Sequence, residues 1–329
     1  MIKAKGTGRK AFLWLATVLA GTAMAVGGGA FGLEPAAGGV TVMFWNLENF
    51  FDFVDGGAGE SDAEFSAMGP RRWTKKRFYR KCHAVAKTIL WAGVPDIVGM
   101  AEVENRFVLR QLATKTALRK LDYEIVHFDS PDPRGIDCAL LYRVSRLTLM
   151  SAKPCRVSAP GLQTRDILLA QFRTLDGDSL AVLVNHHPSK YGDGDTDWRR
   201  EVAVARLRAL GDSLAASGWG RTVAVGDFND VPENPLFRTL EPAFSLCRQT
   251  GGPSGNRGSI RFNGEWQLID LCFVSPALAG TASFSVLEPP FLTERDAAHS
   301  GDKPLRTYSG PRYLGGVSDH RPILVRLEK

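Results

Sequence analysis

The chain has 329 residues, of which 44% are hydrophobic and 23% are charged, and its formal net charge is +6. This composition excludes a collagen, an acidic tail and a disordered linker, and the length suits one large domain or two smaller ones. The positive charge indicates a nucleic-acid partner only if the basic residues lie in the folded part of the chain.

The amino terminus has the parts of a secretory signal peptide. Residues 1–10 contain four basic side chains and no acid, and an uncharged apolar run follows over residues 11–25. Ala23 and Ala25 supply the small residues that precede a cleavage point. The alternative is an uncleaved membrane anchor, but glycines occupy residues 27–29 and the apolar run is shorter than the ~20 residues that span a bilayer.

We therefore expect a signal peptide over residues 1–25, a flexible lead-in over 26–37 and one folded domain over 38–329. The protein would be exported to the periplasm or to the outside of the cell. Without the four basic residues of the leader, 37 basic and 35 acidic side chains remain, a net charge of +2. Net charge then gives little support to a nucleic-acid partner.

Five cysteines follow the leader, with no CxxC pair and no histidine–cysteine spacing typical of zinc sites. They are Cys82, Cys138, Cys155, Cys247 and Cys272. Cys138 and Cys272 lie in apolar runs and are expected in the core. The odd number leaves at least one thiol unpaired, and one disulfide among the others is compatible with export.

Short apolar runs and amphipathic segments alternate along the rest of the chain. Strands are predicted over Val40–Trp45, Asp96–Ala101, Asp137–Arg143, Ile167–Phe172, Leu180–Val184, Thr222–Val225, Leu268–Val274 and Ile323–Leu327. Helices are predicted over Lys75–Trp91, over the segment containing Leu109 and Leu112, and over Glu201–Ala216. Runs that are apolar throughout are typical of strands buried on both faces, so we predict a single two-sheet α/β domain.

Polar side chains stand at the ends of these apolar runs. They are Asn46 and Glu48, Glu102, Asn185 and His186, Asp227 and Asn229, and Asp319 and His320 before the last strand. One such residue is usually a cap or a turn, but five strand ends with matching chemistry indicate a site. The carboxylates and amides are hard oxygen donors, and the histidines transfer protons near neutral pH. This set is typical of metal-assisted attack of water on a phosphorus ester.

The segments WNLEN, GMAEVEN, VNHHPSK, VGDFND, IDLCFVS and GGVSDH occur in this order over nearly the whole mature chain. Together they resemble the endonuclease/exonuclease/phosphatase superfamily, which has the deoxyribonuclease I-like fold. The stretch KPLRTYSGPRYLGGVSDHRP resembles the secreted bacterial branch of that group. The resemblance implies a four-layer α/β sandwich, in which helices flank two facing mixed sheets.

The resemblance also implies a metal site. Glu102 would be the principal ligand, with Asn46 and Asp319 close to the ion, and Glu48 stands where some members have an acid near the metal. The implied ion is Mg²⁺, with Mn²⁺ or Ca²⁺ as alternatives. The same centre serves nucleases, phosphatases and sphingomyelinases, which differ in their loops.

Catalytic roles follow from the same resemblance. Asp227 would orient or deprotonate the attacking water, and Asn229 would hold that water or a phosphate oxygen. His320 would contact the scissile phosphate and be oriented by Asp270. His186 would be the second histidine that faces the phosphate.

Several other residues have two interpretations. Arg134, Tyr142 and Asn185 are assigned to substrate binding, although an arginine in a loop is often solvated and a strand tyrosine is as often core. Asp137 either supports the site or ends a turn. His187 is interpreted as a packing residue.

The first hypothesis for function is a secreted, Mg²⁺-dependent phosphodiesterase that hydrolyses nucleic acid. The alternatives are a phosphatase or sphingomyelinase-like phospholipase C on the same fold, and a binding module without activity. A dense basic stretch over residues 71–81 is interpreted as the solvated face of a helix, with phosphate-backbone binding as the alternative. We expect a monomer with no stable protein partner.

Overall fold

Two β-sheets lie face to face in the computed structural model, with α-helices on the outer face of each. The structure describes residues 1, 39–57, 59–190, 197–251 and 258–329. The expected signal peptide and lead-in lie outside the described residues. No helix within these ranges combines the length and the apolar character needed to cross a membrane.

Within the described residues there are three α-helices, which form the outer layers, and nineteen strands, thirteen of which form the two sheets of the sandwich. The helices are α1 (Lys75–Trp91), α2 (Arg106–Lys115) and α3 (Asp197–Ala216). The strands are β1 (Val40–Phe50), β2 (Ile97–Val103), β3 (Tyr123–His127), β4 (Asp137–Arg143), β5 (Leu147–Cys155), β6 (Ile167–Thr174), β7 (Ser179–His186), β8 (Thr222–Asp227), β9 (Ser245–Leu246), β10 (Arg248–Gln249), β11 (Ile260–Phe262), β12 (Glu265–Gln267), β13 (Asp270–Val274), β14 (Ala282–Val286), β15 (Thr293–Arg295), β16 (Asp302–Pro304), β17 (Tyr308–Ser309), β18 (Arg312–Tyr313) and β19 (Ile323–Leu327).

Both large sheets are mixed. The first has the order β10-β14-β19-β1-β2-β4-β3, with β1 parallel to β2, and the second has the order β5-β6-β7-β8-β13-β9, with β7 parallel to β8. Three hairpins, β11–β12, β15–β16 and β17–β18, lie outside them. This arrangement confirms the predicted deoxyribonuclease I-like sandwich.

The side-chain alternation of β1 shows how the layers form. Val42 and Phe44 are buried between the two sheets, whereas Met43 and Trp45 are buried against α1 and α2. Successive residues of a strand point to opposite faces, so a run that is apolar throughout serves two cores at once. The third core lies between the second sheet and α3.

The helices have the predicted apolar faces. Phe78, Cys82 and Ile89 of α1 are fully buried, and the Thr74 hydroxyl caps the helix by accepting from the Arg77 backbone N–H. The basic face of α1 is not wholly solvated, because Lys81 is buried. Its Nζ donates to the Glu48 carbonyl at 2.7 Å and to the Thr307 hydroxyl at 2.9 Å, so Lys81 corrects the sequence-based interpretation.

The ends of the central strands converge on one edge of the sandwich. Since β1 is parallel to β2 and β7 to β8, their carboxyl-terminal residues emerge on the same side of each sheet. His186 is paired with Asp227 at the end of the parallel β7–β8 pair, and Asp270 begins β13 opposite Asp227. Open α/β sheets commonly bind ligands beyond these strand ends.

Gly226 lets β7 and β8 approach each other beside this edge. A Cβ atom at Gly226 would lie 2.4 Å from the Asn185 carbonyl oxygen, so Gly226→Ala is expected to lower the free energy of unfolding by about 1–3 kcal/mol. Urea unfolding measures this change. Gly220→Ala is the control, because its Cβ would have no neighbour within 4 Å, and equal stability of the two variants would contradict the prediction.

Candidate active site

A pocket of about 530 Å³ opens where the strand ends meet. Nine of the residues predicted for the site line it: Asn46, Glu48, Glu102, Arg134, His186, Asp227, Asn229, Asp319 and His320. Asn49, Arg165, Ser189, Ile260 and Arg306 complete the wall. The structure therefore brings together residues that are up to 274 positions apart in the sequence.

A carboxylate holds the imidazole of His320 from behind. Asp270 is fully buried, and its Oδ2 lies 2.8 Å from His320 Nδ1, as the sequence predicted. The other ring nitrogen, Nε2, lies 3.8 Å from Asp227 Oδ2. Burial alone would lower the pKa of His320, but Asp270 and Asp227 outweigh it and raise the pKa well above its ordinary value. These two carboxylates therefore favour the charged form of the ring.

Asp227 is held by hydrogen bonds to both oxygens. Its Oδ1 accepts from the Asn229 backbone N–H at 2.9 Å, and its Oδ2 accepts from Asn46 Nδ2 at 3.0 Å. Burial raises the pKa of Asp227 to about 7, with His320 opposing the rise and Asp270 adding to it. A carboxylate with a pKa near neutrality is suited to accept a proton during the reaction.

The two adjacent histidines differ in their surroundings. His186 Nε2 lies 3.7 Å from Asp227 Oδ2 and 3.9 Å from Glu102 Oε1. Burial, with Arg165 and Arg134 nearby, lowers the pKa of His186 well below its ordinary value, so this ring is neutral. His187 instead packs edge-on against Phe228 at a centroid distance of 4.6 Å, as predicted.

Glu102 is ionised at the centre of the pocket. Its Oε2 accepts from the Asn49 backbone N–H at 2.7 Å, and its Oε1 lies 3.4 Å from Arg134 Nη2. Burial would raise the pKa of Glu102, but Arg134, the Asn49 N–H and His320 together hold it below its ordinary value. The φ angle of 61° at Glu102 is in the left-handed region, where backbone strain often marks functional positions.

The donor set fits a hard divalent cation. Glu102 and Asp319 line the pocket with carboxylates, and oxygen ligands are those that Mg²⁺, Mn²⁺ and Ca²⁺ prefer. Asn46 lines it as well, with its Oδ1 accepting from the Glu48 backbone N–H at 2.9 Å. Another group of residues, Asp227, Asp270 and His320, brings ligand atoms within 4.8 Å of one another. In that group Asp270 and His320 already bond each other, whereas the carboxylates of Glu102 and Asp319 are partly exposed.

The contacts of Glu48 differ from those expected of the acid near the metal that the resemblance implies. Its Oε1 accepts from Arg306 Nε at 2.9 Å and Nη2 at 2.8 Å, and its Oε2 accepts from the Thr307 backbone N–H at 3.1 Å. Burial raises the pKa of Glu48 to about 7, Asp319 adds to the rise, and Arg306 opposes it. Since both oxygens are engaged, the structure favours Glu48 as the anchor of Arg306 over a metal ligand.

Three arginines face the pocket, and only Arg134 was predicted. Arg306 Nη2 lies 3.0 Å from Asp319 Oδ2, and its part of the chain was noticed only as a family resemblance. Arg165 donates to Asp132 Oδ2 at 2.9 Å and to the His187 carbonyl at 2.7 Å. No motif around Arg165 indicated this position, because it lies in a loop and reaches the site only in the folded chain.

Arg165→Lys is expected to lower kcat/KM about tenfold or more. A lysine cannot keep both hydrogen bonds of the planar guanidinium, and one bond to a charged group corresponds to about 1.5–3 kcal/mol. Steady-state kinetics on any phosphodiester that the enzyme turns over measures the loss. Arg173→Lys on the exposed face of β6 is the matched control, and equal kinetics for both variants would contradict a role for Arg165 at the site.

Two residues assigned to substrate binding lie outside the pocket. Tyr142 packs against Phe172 between the sheets at a centroid distance of 5.2 Å, and it pairs with Ile97 at the far end of β2. Asn185 is fully buried and donates to the Leu183 and Val225 carbonyls. Both assignments were wrong, because these side chains point into the protein and not into the pocket.

Asp137 supports the site from beneath. Its Oδ2 lies 3.0 Å from His127 Nε2, and its Oδ1 accepts from the Ser130 backbone N–H at 2.8 Å. These contacts fix the two ends of the loop that carries Arg134. Of the two interpretations of Asp137, the structure favours support of the site.

Comparisons with known proteins agree with this fold. Nocturnin of Xenopus laevis is 27% identical over 236 residues, which are 64% of this chain and 56% of that protein, so the chain spans just over half of this curated relative. An endonuclease/exonuclease/phosphatase family protein from Bacteroides thetaiotaomicron has a similar structure, with a TM-score of 0.58, 17% identity and coverage of 89% of this chain and 98% of that one.

TDP2 from C. elegans is similar in structure as well, with a TM-score of 0.59 and 15% identity over 91% of this chain and 78% of that one. At these identities the solved structures show the fold alone. The model of the family described as "Endonuclease/Exonuclease/phosphatase family" matches residues 41–329, which is nearly the whole described chain. The chain therefore belongs to the endonuclease/exonuclease/phosphatase family, whose members are enzymes that hydrolyse phosphoester bonds.

Proposed function

We propose that the protein is a divalent-metal-dependent phosphodiesterase that hydrolyses nucleic acid by direct attack of water. The observation that carries this proposal is the juxtaposition of His320 and Asp227 at 3.8 Å, with Asp270 behind the histidine. A cationic donor beside a carboxylate near its pKa can stabilise a phosphorane-like transition state and accept a proton from water.

Each residue of the pocket has a distinct part in this proposal. Asp227 accepts the proton of the attacking water. His320 donates from Nε2 to an oxygen of the scissile phosphate, and Asp270 fixes the ring so that Nε2 faces the pocket. His186, which is neutral, contacts the phosphate through its own Nε2. The amide nitrogen of Asn229 is occupied by the His187 carbonyl at 2.9 Å, so Asn229 would act through its oxygen or by holding its loop.

Enzymes of this family depend on a divalent metal ion, and the specific ion here is part of the proposal. Glu102, Asp319 and Asn46 would hold it, and Mg²⁺ is the ion that this set of oxygen donors suits best among the abundant cations. When bound, such an ion screens the negative charge of the phosphate and polarises its bonds to oxygen. Arg306 and Arg134 share the neutralisation, because each contacts one of the proposed ligands.

The aromatic residues after the first motif give no support to a lipid substrate. Phe50 and Phe51, which follow the first motif and could have formed a membrane-facing hairpin, are fully buried in the core beneath α1. A phosphatase or a sphingomyelinase-like phospholipase C on the same fold is the second candidate, since the metal and histidine centre would be shared. A binding module without activity does not account for the Asp270–His320–Asp227 arrangement.

Export and a monomeric state are further parts of this proposal. Export is supported by the sequence of residues 1–25, which has the features of a signal peptide. Amino-terminal sequencing of protein secreted by the native cell tests the export, and light scattering of the purified protein tests the oligomeric state.

A substrate panel tests the activity. Protein beginning at Val26 is incubated with Mg²⁺ or Mn²⁺ and with single-stranded DNA, RNA, bis(4-nitrophenyl) phosphate, a phosphomonoester and sphingomyelin. We expect turnover of the nucleic acids and of bis(4-nitrophenyl) phosphate, and loss of turnover in His186→Ala and His320→Ala. Cleavage of sphingomyelin or the monoester alone would favour the second candidate. Full activity in both variants would refute the proposed mechanism.

A further inference from the structure

A second groove opens directly from the catalytic pocket. Its volume is about 460 Å³, and it shares Arg306 and Asp319 with the pocket. The hairpins β11–β12, β15–β16 and β17–β18 supply its walls. Apart from the two shared residues, none of its lining takes part in the proposed reaction, so the groove is a candidate for the part of the substrate beyond the scissile bond.

The groove is basic. Its lining includes five arginines and lysines, Arg261, Arg295, Lys303, Arg306 and Arg312, against three carboxylates. One of the carboxylates is Asp319, which belongs to the proposed metal site. In the rest of the groove the positive charges therefore outnumber the negative ones, although the mature chain as a whole is nearly neutral.

The remaining carboxylates are already engaged with cations. Asp296 Oδ2 lies 3.4 Å from His299 Nδ1 and 3.9 Å from Arg261 Nε, and Asp296 Oδ1 lies 3.7 Å from Lys303 Nζ. Lys303 also lies 3.9 Å from Glu294. These pairs neutralise one side of the groove and leave its other cations available to a ligand.

Arg295 and Arg312 are the available cations. Both are exposed on groove hairpins, and neither has an ion-pair partner in the part of the chain that the structure describes. Two unpaired guanidinium groups beside a phosphoesterase pocket are suited to bind further phosphates, because a guanidinium bonds a phosphate with two parallel hydrogen bonds.

An exposed aromatic ring stands at the tip of one groove hairpin. Ile260 of β11 lines the catalytic pocket, Arg261 lines the groove, and the next residue, Phe262, is 62% exposed. The turn that follows, with Gly264 at a φ of 83°, holds the ring at the hairpin end. Unpaired bases stack on exposed aromatic side chains in many proteins that bind single strands.

We propose that this groove binds the phosphates next to the scissile one in a single-stranded polynucleotide, with Phe262 stacking on an unpaired base. This inference rests on the proposed phosphodiesterase function and specifies its substrate as a polymer. Small phosphodiesters reach the catalytic pocket without the groove, and the polymer uses both. A DNA or RNA duplex would lack the unpaired base that Phe262 requires.

The test compares three variants on two substrates. They are Arg295→Ala/Arg312→Ala, Phe262→Ala, and the control Lys120→Ala/Lys153→Ala, which removes two exposed cations away from the groove. The substrates are a 20-nucleotide single-stranded DNA and bis(4-nitrophenyl) phosphate. We expect the arginine variant to raise KM for the DNA about tenfold with kcat unchanged, and to leave the small substrate unaffected.

Salt dependence and stacking add two independent readouts. Loss of two phosphate contacts is expected to reduce the slope of log affinity against log salt concentration by about 1.4, at about 0.7 per contact on a single strand. Phe262→Ala is expected to weaken binding of the single strand at least about fivefold and binding of the matching duplex not at all. Fluorescence anisotropy with labelled DNA, without added metal, measures both effects.

The outcomes separate this inference from the proposed function. If the wild-type enzyme hydrolyses bis(4-nitrophenyl) phosphate and the arginine variant binds DNA no more weakly than the control, the groove proposal is overturned while the function stands. Equal loss on both substrates also overturns it, because the arginines would then only support the pocket. If the wild-type enzyme cleaves neither substrate, the proposed function fails, and anisotropy still decides whether the groove binds the polymer.

Discussion

His320→Ala is expected to lower kcat about 10³-fold on any substrate of the enzyme, within the 10²–10⁴-fold range typical of a lost general acid or base. The isosteric change Asp270→Asn is expected to cause a smaller loss and to change the pH dependence. Both follow from the 2.8 Å contact of His320 Nδ1 with Asp270 Oδ2, which keeps the ring charged and turned toward the pocket.

The direction of the pH effect follows from the pKa of His320. Asp270 is the largest contribution that raises this pKa, so its neutralisation lowers the pKa toward the value that burial favours. A reaction that needs the protonated ring declines as the pH rises through that pKa. The alkaline limb of the profile of kcat/KM against pH should therefore lie at lower pH in Asp270→Asn than in the wild type.

Kinetics from pH 5 to pH 9, at saturating and at low substrate, measure both effects. His83→Ala is the matched control, because His83 is exposed on α1 and should leave rate and profile unchanged. Circular dichroism of each variant separates loss of chemistry from loss of fold. A profile for Asp270→Asn that coincides with the wild type would contradict the proposed role of the Asp270–His320 pair.

Much of the fold is visible in the sequence because its central strands are buried on both faces. Asp137–Arg143 and Ile323–Leu327 were predicted with their observed ends, as was helix α1. The strand Leu147–Cys155 was missed, since it lies at a sheet edge with most of its residues partly or fully exposed and has no continuous apolar run. Burial on both faces requires a continuous apolar run in the sequence, whereas an exposed edge strand has no such requirement.

The residues of the site also differ in whether the sequence indicates them. Residues that directly end a buried strand, such as Glu102 and Asp227, could be found because a polar residue interrupts an apolar run at a defined place. Arg165 and Arg306 come from loops and reach the pocket only through the folding of distant segments, so no apolar run or strand end marks them. Tyr142 was assigned to substrate binding from the family resemblance, but the side-chain alternation of β4 places its ring between the sheets.

The roles of the anionic residues depend on contacts that the sequence does not contain. Glu48 and Glu102 both follow apolar runs near the ends of their strands and have the same side chain. Two nitrogen atoms of Arg306 engage Glu48, whereas Arg134 approaches Glu102 only to 3.4 Å. The difference in cationic neighbours makes one glutamate a structural anchor and leaves the other available to a metal ion.

Glu102→Gln is therefore expected to abolish metal-dependent activity. Glutamine keeps the size of the side chain and can still accept from the Asn49 backbone N–H, but it lacks the negative charge that a divalent cation requires. Glu48→Gln is expected to keep most of the metal affinity, because Glu48 holds Arg306. Activity titrations with Mg²⁺ and Mn²⁺ after removal of bound metal by EDTA measure the two affinities.

A thermal readout makes this prediction independent of catalysis. An ion present at a hundred times its Kd stabilises the folded state by about 2.7 kcal/mol, which raises the Tm of a domain of this size by about 4 °C. Wild type and the control Glu124→Gln, whose side chain is exposed on β3, should both show this rise on addition of the metal, and Glu102→Gln should not. An undiminished rise in Glu102→Gln would place the metal elsewhere in the protein, because the stabilisation can be lost only where the ion is bound.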